Sequence, residues 1–151
     1  MTTKEAKRYL DQTKWLDENI ETTQQEIDEL RDGATSATST LDATGSRSSG
    51  ITSDPVGNTA VKVADLMRER NDKVNRLIAL KQEIPTRIEA LPDERLKLIL
   101  RKKHILHQSW GKLASDMRYD QRHITRLYHR ALVLFCEIHG EDLEKDVLKC
   151  P

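Results

Sequence analysis

The residues from Arg118 to Arg130, RYDQRHITRLYHR, bring together side chains that could do chemistry of more than one kind. Four of them are arginine, two are histidine, and Asp120 is the single carboxylate. Arginine and glutamine can make paired hydrogen bonds to the edges of guanine and adenine. Histidine and carboxylate groups bind metals and carry protons. The stretch is therefore a candidate for nucleic-acid recognition, for a metal or catalytic cluster, or for an ordinary solvated helix face.

The histidines and cysteines do not have the spacing of a metal motif. His104 and His107 lie three residues apart, as do Cys136 and His139, but neither pair has a third ligand at the usual spacing. The sequence has no glycine-rich phosphate loop and no nucleophile elbow. Cys136 and Cys150 are too few for a disulfide framework and are expected to be reduced thiols. We expect no metal, no cofactor and no enzymatic activity.

Helical periodicity divides the surrounding segment into two short helices. Ser109 is a potential N-cap of the first. The apolar face of this helix is formed by Trp110, Leu113, Ala114 and Met117. Asp120 can cap the second helix, 120–136. The apolar face of the second helix is formed by Ile124, Leu127, Tyr128, Ala131, Leu134 and Phe135. About three residues separate the two helices, which is the layout of a helix-turn-helix.

The polar side chains of the second helix lie opposite its apolar face. At about 100° per residue, the outward positions are Gln121, Arg122, Thr125, Arg126 and His129. Because a recognition helix contacts base edges with its N-terminal half, we predict that these side chains read DNA bases. Cationic side chains around them are predicted to contact backbone phosphates: Arg101, Lys102, Lys103, Lys112, Arg118 and Arg130.

The net charge of zero conceals an uneven distribution. Residues 93–130 contain ten lysines and arginines against four acidic residues, whereas 1–92 and 131–151 each carry a net charge of −3. A local positive excess attracts a polyanion, but solvated basic surfaces show the same excess. Charge alone leaves both interpretations open. Its agreement with spacing, capping and residue type favours DNA.

The N-terminal part, residues 1–32, is predicted to be one long amphipathic helix that begins near residue 4. Its heptad pattern has apolar residues or threonine at every a and d position. Gly33 is predicted to end it. Residues 33–57 are rich in glycine, serine, threonine and alanine, and this composition is typical of a disordered linker.

Residues 58–91 carry a second heptad pattern, which Pro85 interrupts. Either the helix kinks there or a new helix begins, and the continuing apolar register favours the kink. The two long helices are expected to pair as a hairpin or as an intermolecular coiled coil. The fold class is therefore all-α, with the helix-turn-helix domain at 92–136. Residues 137–151 are predicted to be an acidic tail that frays after Gly140.

The stretch LPDERLKLILRKKHILHQSWGKLASDMRYDQRHITRLYHRALVLF resembles the DNA-binding domain of sigma factor region four. It is still more similar to phage late-gene transcription regulators of the RinA/ArpU type, and the similarity extends over 4–32 and 58–136. Its local motifs are Ser109–Trp110 and Arg122–His123–Ile124. The resemblance implies a sequence-specific regulator of phage or prophage transcription, and more specifically an activator. The recognition role would belong to Gln121, Arg122, Thr125 and Arg126.

The chain departs from that family pattern at three positions. Arg118 stands in the turn where glycine is usual, so it must either adopt an uncommon positive φ or widen the turn. Gly111 replaces a helix-forming glutamate and weakens the helix by up to ~1 kcal/mol relative to alanine. Lys112 stands where a glutamate would complete a capping box with Ser109.

The expected partners are double-stranded DNA, RNA polymerase and further copies of the chain that associate through the long helices. No apolar run approaches the ~20 residues of a membrane span, and the N-terminus has no apolar export signal, which predicts the cytoplasm of a bacterial host. The main alternative is a phage DNA-packaging recognition subunit or another oligomeric DNA-binding structural protein. A coiled-coil adaptor that binds only protein is a third possibility. A C-terminal DNA-binding domain favours the regulator.

Overall fold

The computed structural model describes the backbone of residues 1–41 and 55–147, and all regular elements in these ranges are helical. They are α1 (Thr3–Leu10), α2 (Gln12–Leu41), α3 (Pro55–Glu89), α4 (Glu94–Leu100), a π-helical segment (Arg101–Ile105), α5 (Trp110–Met117) and α6 (Gln121–Val147). The predicted all-α class is confirmed for this part of the chain. None of the helices described here is long and apolar enough to cross a membrane.

The helices form two compact units. Unit 1 consists of Met1–Trp15 and the chain from Leu77 onwards, and unit 2 is Leu16–Arg76. The first fifteen residues therefore pack with the C-terminal half of the chain. The sequence analysis instead placed them in one continuous helix with the residues up to Gly33.

The N-terminus of unit 1 is a short helix with a complete cap. The backbone N–H of Thr2 donates to Glu5 Oε2 at 2.6 Å, and the N–H of Glu5 donates to Thr2 Oγ1 at 3.3 Å. This reciprocal arrangement is a capping box, and it satisfies two amides that the first helical turn leaves without partners. Asp11 alone separates α1 from α2, which turns α1 into an element of its own.

The core of unit 1 is built around α6, against which α1, α4 and α5 pack. Its largest fully buried side chains are Leu10, Leu80, Ile84, Ile88, Leu91, Leu96, Ile99, Leu100, Leu113, Ile124 and Phe135. In α3, Leu80 is buried, whereas Lys81, which the heptad pattern of 58–91 places at an a position, is exposed. The reason is that this end of α3 packs into a globular core, which needs a broader apolar stripe than a coiled-coil seam.

The end of α3 is joined to α1 and α6 by polar and aromatic contacts. Tyr9 Oη donates to Glu83 Oε1 at 2.7 Å, and the Tyr9 and Phe135 ring centroids are 6.2 Å apart. His139 Nε2 donates to the carbonyl oxygen of Arg87 at 2.8 Å and its ring lies 4.8 Å from that of Phe135. His139 thus supplies a hydrogen-bond donor from α6 to a backbone carbonyl group in the last turn of α3.

The predicted fraying of the acidic tail after Gly140 is wrong, because α6 runs to Val147. The helix α6 continues through Gly140, and Leu143 is fully buried. A glycine inside a helix costs only about 1 kcal/mol relative to alanine, which the burial of Leu143 outweighs. Residues 148–151 lie outside the described part of the chain.

Unit 2 is an antiparallel pair of helices within one chain. Arg31 Nη2 approaches Met67 Sδ at 3.4 Å, Lys73 Nζ donates to Thr23 Oγ1 at 3.3 Å, and Arg70 hydrogen-bonds to Gln24. The contacts move backwards along α3 as they move forwards along α2, as antiparallel pairing requires. Of the two pairings that the sequence left open, the structure shows the hairpin within one chain.

The predicted ends of these helices need correction. Gly33 does not end α2, which runs to Leu41, and α3 begins at Pro55, where proline suits the first helical position. The predicted linker is thus shorter than 33–57, and its residues 42–54 lie outside the described ranges. Pro85 lies inside α3, so the alternative in which a new helix begins there is wrong.

Candidate nucleic-acid interface

The turn between α5 and α6 is closed by backbone hydrogen bonds. Ser109 caps α5 by accepting from the N–H of Lys112 at 3.3 Å. At the other end, the N–H of Tyr119 donates to Ala114 O at 3.0 Å and that of Arg118 to Ser115 O at 3.2 Å. These two bonds form a Schellman motif, the usual glycine-containing end of a helix.

Arg118 takes the glycine position of this motif. Its backbone is left-handed, with φ 55° and ψ 41°, which settles the choice left open by the sequence. A left-handed residue other than glycine costs about 1 kcal/mol or more. The turn is therefore tight rather than widened, and it contains a local strain that glycine would relieve.

The helix α6 is anchored by the face that the sequence predicted. Ile124, Ala131 and Phe135 are fully buried, and Tyr128 is nearly so. The ring of Trp110 meets Tyr128 edge-on, with centroids 4.9 Å apart, which ties α5 to α6. These contacts fix which side of α6 faces away from the core of unit 1.

All the predicted base-reading residues lie on that outward side: Gln121, Arg122, Thr125, Arg126 and His129 are exposed. The hydroxyl of Thr125 donates to the carbonyl oxygen of Gln121 at 2.9 Å, so it can offer a ligand only its acceptor capacity. The amide of Gln121 lies near Gly111, where a Cβ atom would be 3.5 Å from its Nε2. The start of α6 is thus directly beside α5.

The arginines of α6 differ from the other predicted cationic contacts in their ion pairing. Among the described residues, no carboxylate lies within ion-pair distance of Arg122, Arg126 or Arg130. Arg118 is likewise exposed and has no such partner in the described part of the chain. These guanidinium groups therefore give the outward face of α6 and the turn before it a positive charge that no described carboxylate neutralises.

The other predicted phosphate contacts are engaged inside the protein. Asp116 accepts from Lys102 at 3.1 Å and from Lys112 at 3.3 Å, and these bonds keep the pKa of its carboxyl below the usual range. Arg101 pairs with Glu89 at 2.5 Å. Phosphate binding at these three cations would compete with carboxylates. Lys112 remains the most exposed of them.

Lys103 has a different environment again. Its Nζ donates to the carbonyl oxygen of Gln108 at 3.0 Å and lies 4.4 Å from the centroid of the Trp110 ring. Burial, followed by the charges of Lys7 and Lys14, lowers its pKa, although Asp11 opposes the shift. The structure thus places Lys103 among N-terminal residues rather than on the outward face of α6.

A buried polar network joins the N-terminus to the helix-turn-helix, and sequence reasoning missed it. His104 Nδ1 lies 2.8 Å from Asp11 Oδ1, and its Nε2 lies 3.0 Å from the hydroxyl of Tyr128. His104 is 1% exposed. Because an ionised carboxylate can only accept, Nδ1 carries a proton, and in the neutral ring Nε2 accepts from Tyr128.

The same contacts act on the ionisation of both neighbours of His104. Burial alone would raise the pKa of Asp11, but the hydrogen bond from His104 and the charges of His104, Lys7 and Lys103 lower it overall. Burial, and then the charge of Asp11, raises the pKa of Tyr128 well above its usual range. The network therefore contains an ionised Asp11 and an un-ionised Tyr128 at neutral pH.

The π-helical segment explains why spacing did not reveal this network. The N–H of Leu106 donates to Arg101 O at 3.1 Å, five residues back, so the side chains after residue 101 depart from α-helical positions. His107 follows with φ 51°. A sequence reading at 100° per residue cannot anticipate this rotation. The one available signal was a histidine close to an apolar pattern.

The described residues contain no group of three or more histidine, cysteine or acidic side chains arranged to hold a metal ion. Comparison with protein-family models, with curated proteins and with solved structures finds no match to this chain. The case for a function therefore rests on the geometry of α5 and α6.

Proposed function

We propose that the protein is a non-enzymatic, sequence-specific DNA-binding regulator of transcription that reads the major groove with the N-terminal half of α6. The observation that carries this proposal is the exposed, unneutralised trio Arg122, Arg126 and Arg130 on a helix whose opposite face is buried. Buried Ile124, Tyr128 and Phe135 fix its orientation on α5. A rigid cationic helix beside a tight turn suits insertion between phosphate backbones.

The chemistry divides the exposed side chains into two groups. Arg122 and Arg126 lie one turn apart and can each make paired hydrogen bonds to guanine, while Gln121 can do so to adenine. Thr125 and His129 lie on the same side and complete the predicted reading surface. Phosphate contacts would come from Arg118 in the turn, Arg130 further along α6, and Lys112 on α5.

The biological setting is also a proposal. The resemblance to phage late-gene regulators supports a role in regulating phage or prophage genes, and more specifically in activating them. The protein would act in the cytoplasm of a bacterial host, with RNA polymerase as a second partner. Unit 2 supports homo-oligomerisation, because Ile20, Leu30, Met67 and Val74 remain half-exposed along its seam. A dimer would place two copies of α6 on neighbouring half-sites.

The test begins by selecting bound sequences from a random duplex library with the full chain. Arg122→Ala and Arg126→Ala should each weaken binding to the selected duplex by ~1–3 kcal/mol and weaken binding to random duplex much less. Arg68→Ala is the matched control, because Arg68 is an exposed arginine on α3 of unit 2. Equal losses on both duplexes would reassign the two arginines to phosphate, and absence of any binding at low salt would refute the proposal.

The packaging-subunit alternative makes a different prediction for the same preparation. Such subunits act as large closed oligomers, which light scattering separates from a dimer. Rings of about eight or more copies, with little preference between selected and random duplexes, would favour that alternative. A reporter gene controlled by the selected duplex, measured with and without the protein, then decides whether transcription responds.

A further inference from the structure

A basic cavity of about 220 Å³ lies in unit 1. Three lysines line it: Lys7 from α1, Lys14 from the start of α2 and Lys103 from the π-helical segment. They are separated in sequence by up to nearly a hundred residues, so the tertiary fold alone brings them together. We call this cavity the two-tryptophan pocket, after the indoles described below.

Besides these three lysines, the pocket contains one carboxylate. Asp11 also lines it, but its Oδ1 lies 2.8 Å from His104 Nδ1, so it is already hydrogen-bonded to a buried group. Burial and the charges of Lys7 and Lys14 lower the pKa of Lys103, whereas the charge of Asp11 raises it. An anion bound among the three ammonium groups would favour their charged forms.

The walls of the pocket include the chain's two tryptophans, Trp15 and Trp110. Lys103 Nζ lies 4.4 Å from the centroid of the Trp110 ring, and Lys14 Nζ lies 5.9 Å from that of Trp15. Trp15 is 58% exposed, which is unusual for so large an apolar side chain. Indole rings beside ammonium groups suit a phosphate ester, because a ring can pack against the sugar while the cations hold the phosphate.

The pocket is close to the start of α6 through α5. Trp110 is the first residue of α5, and the next residue, Gly111, lies beside Gln121. We propose that the two-tryptophan pocket binds a phosphate ester, and that this is a backbone phosphate of the duplex beside the bases contacted by α6. The choice of duplex as the source rests on the proposed function, whereas the phosphate-ester chemistry rests on the pocket itself.

The first experiment uses intrinsic fluorescence, because every tryptophan in the chain lines this cavity. The full-length protein is titrated separately with the selected duplex, with a deoxynucleoside monophosphate and with inorganic phosphate. The change in emission should be half complete at the duplex concentration that half-saturates DNA binding. The variants Trp15→Phe and Trp110→Phe then show which tryptophan is responsible for the change. An unchanged emission at saturating duplex would overturn the duplex assignment.

The second experiment measures the salt dependence of DNA binding. Lys7→Gln with Lys14→Gln should lower the slope of log affinity against log salt by about 1, the loss expected for one phosphate contact. The affinity for selected and random duplexes should fall by the same factor. Lys4→Gln with Lys62→Gln is the matched control, since it removes the same charge from α1 and α3 but not from the pocket.

The outcomes separate this inference from the proposed function. If the protein binds DNA with arginine-dependent specificity and the Lys7/Lys14 variant behaves like the control, the pocket inference is wrong and the function stands. If duplex does not bind but the monophosphate or phosphate quenches the tryptophans, and the Lys7/Lys14 variant abolishes this, the pocket takes a free phosphate ester and the DNA proposal is wrong. If neither ligand changes the emission, both parts of the pocket inference are wrong.

Discussion

The two units are built from the same long helices but differ in what they bury. Among the described side chains of unit 2, only Thr23, Ile27 and Val63 are buried. Unit 1 buries a contiguous apolar core from α1, α3, α4, α5 and α6 and adds the polar network of Asp11, His104 and Tyr128. Heptad spacing thus predicts where helices pair, but it does not predict how much free energy the pairing supplies.

The difference has a physical cause in the number of helices that meet. Two antiparallel helices share a single seam, so each side chain has neighbours on one side only, whereas unit 1 surrounds α6 with several elements. Apolar burial stabilises in proportion to the area removed from water. Unit 2 is therefore the less stable region as a single copy, and it gains most from an added partner.

The largest expected effect of this contrast is in hydrogen exchange. Amides of α6 near Phe135 should exchange at least about tenfold more slowly than those of α2 near Ile27, which corresponds to ~1.4 kcal/mol of local stability. Exchange measured by mass spectrometry at two protein concentrations tests this. Equal protection would contradict the contrast, and protection of unit 2 that rises with concentration would identify self-association as the reason.

Substitution of one buried side chain in each unit by alanine tests the contrast in the two units separately. Phe135→Ala should lower the free energy of unfolding by about 3–5 kcal/mol and abolish DNA binding, because Phe135 is fully buried on the core side of α6. Ile27→Ala should destabilise unit 2 while DNA affinity per subunit is retained. Urea unfolding and duplex titration measure the two effects. Loss of DNA binding in Ile27→Ala would mean that the interface depends on unit 2.

The polar network predicts an acid dependence specific to unit 1. Asp11→Ala should cost about 1–3 kcal/mol by leaving His104 without its partner. Because the pKa of Asp11 is lowered on folding, its ionisation stabilises the fold above the unfolded aspartate pKa of ~3.9, and this contribution is lost as the pH falls through the folded pKa. Asp11→Asn should therefore flatten the decline in unfolding free energy below about pH 4.

The control for this pH series is Asp72→Asn, which changes an exposed carboxylate in unit 2. It should leave the acid profile parallel to that of the unchanged protein. If Asp11→Asn and Asp72→Asn gave the same profile, the network would not contribute to the acid stability of the fold.

The smallest expected effect concerns the strained turn. Arg118→Gly should raise the free energy of unfolding by about 1 kcal/mol, because glycine adopts the left-handed conformation without a Cβ clash. Arg118→Ala removes the same charge but keeps the strain, so it should not stabilise. Thermal unfolding of the two variants separates backbone strain from charge. A stabilisation shared by both would assign the effect to relief of charge repulsion.

The local features of the helix-turn-helix could be predicted because they depend on neighbours in sequence. Ser109 as a cap, the buried face containing Ile124 and Phe135, and the exposed side of Arg122 and Arg126 follow from spacing and side-chain type. Each of these needs only the regular geometry of an α-helix and its ends. The sequence located the turn at Arg118 but left open whether this residue adopts a positive φ or widens the turn, and the structure shows the positive φ.

The sequence by itself determined the all-α class, the two heptad seams and the sides of α5 and α6. Only the tertiary structure decided that α1 belongs with α6, that α6 continues through Gly140, and that Asp11 and Lys7 lie beside residues of the π-helical segment. The physical reason is that periodicity indicates which face of a helix is buried, but not which other element packs against that face. That choice depends on packing between segments far apart in the chain, and here it brought the N-terminus to the candidate DNA-binding unit.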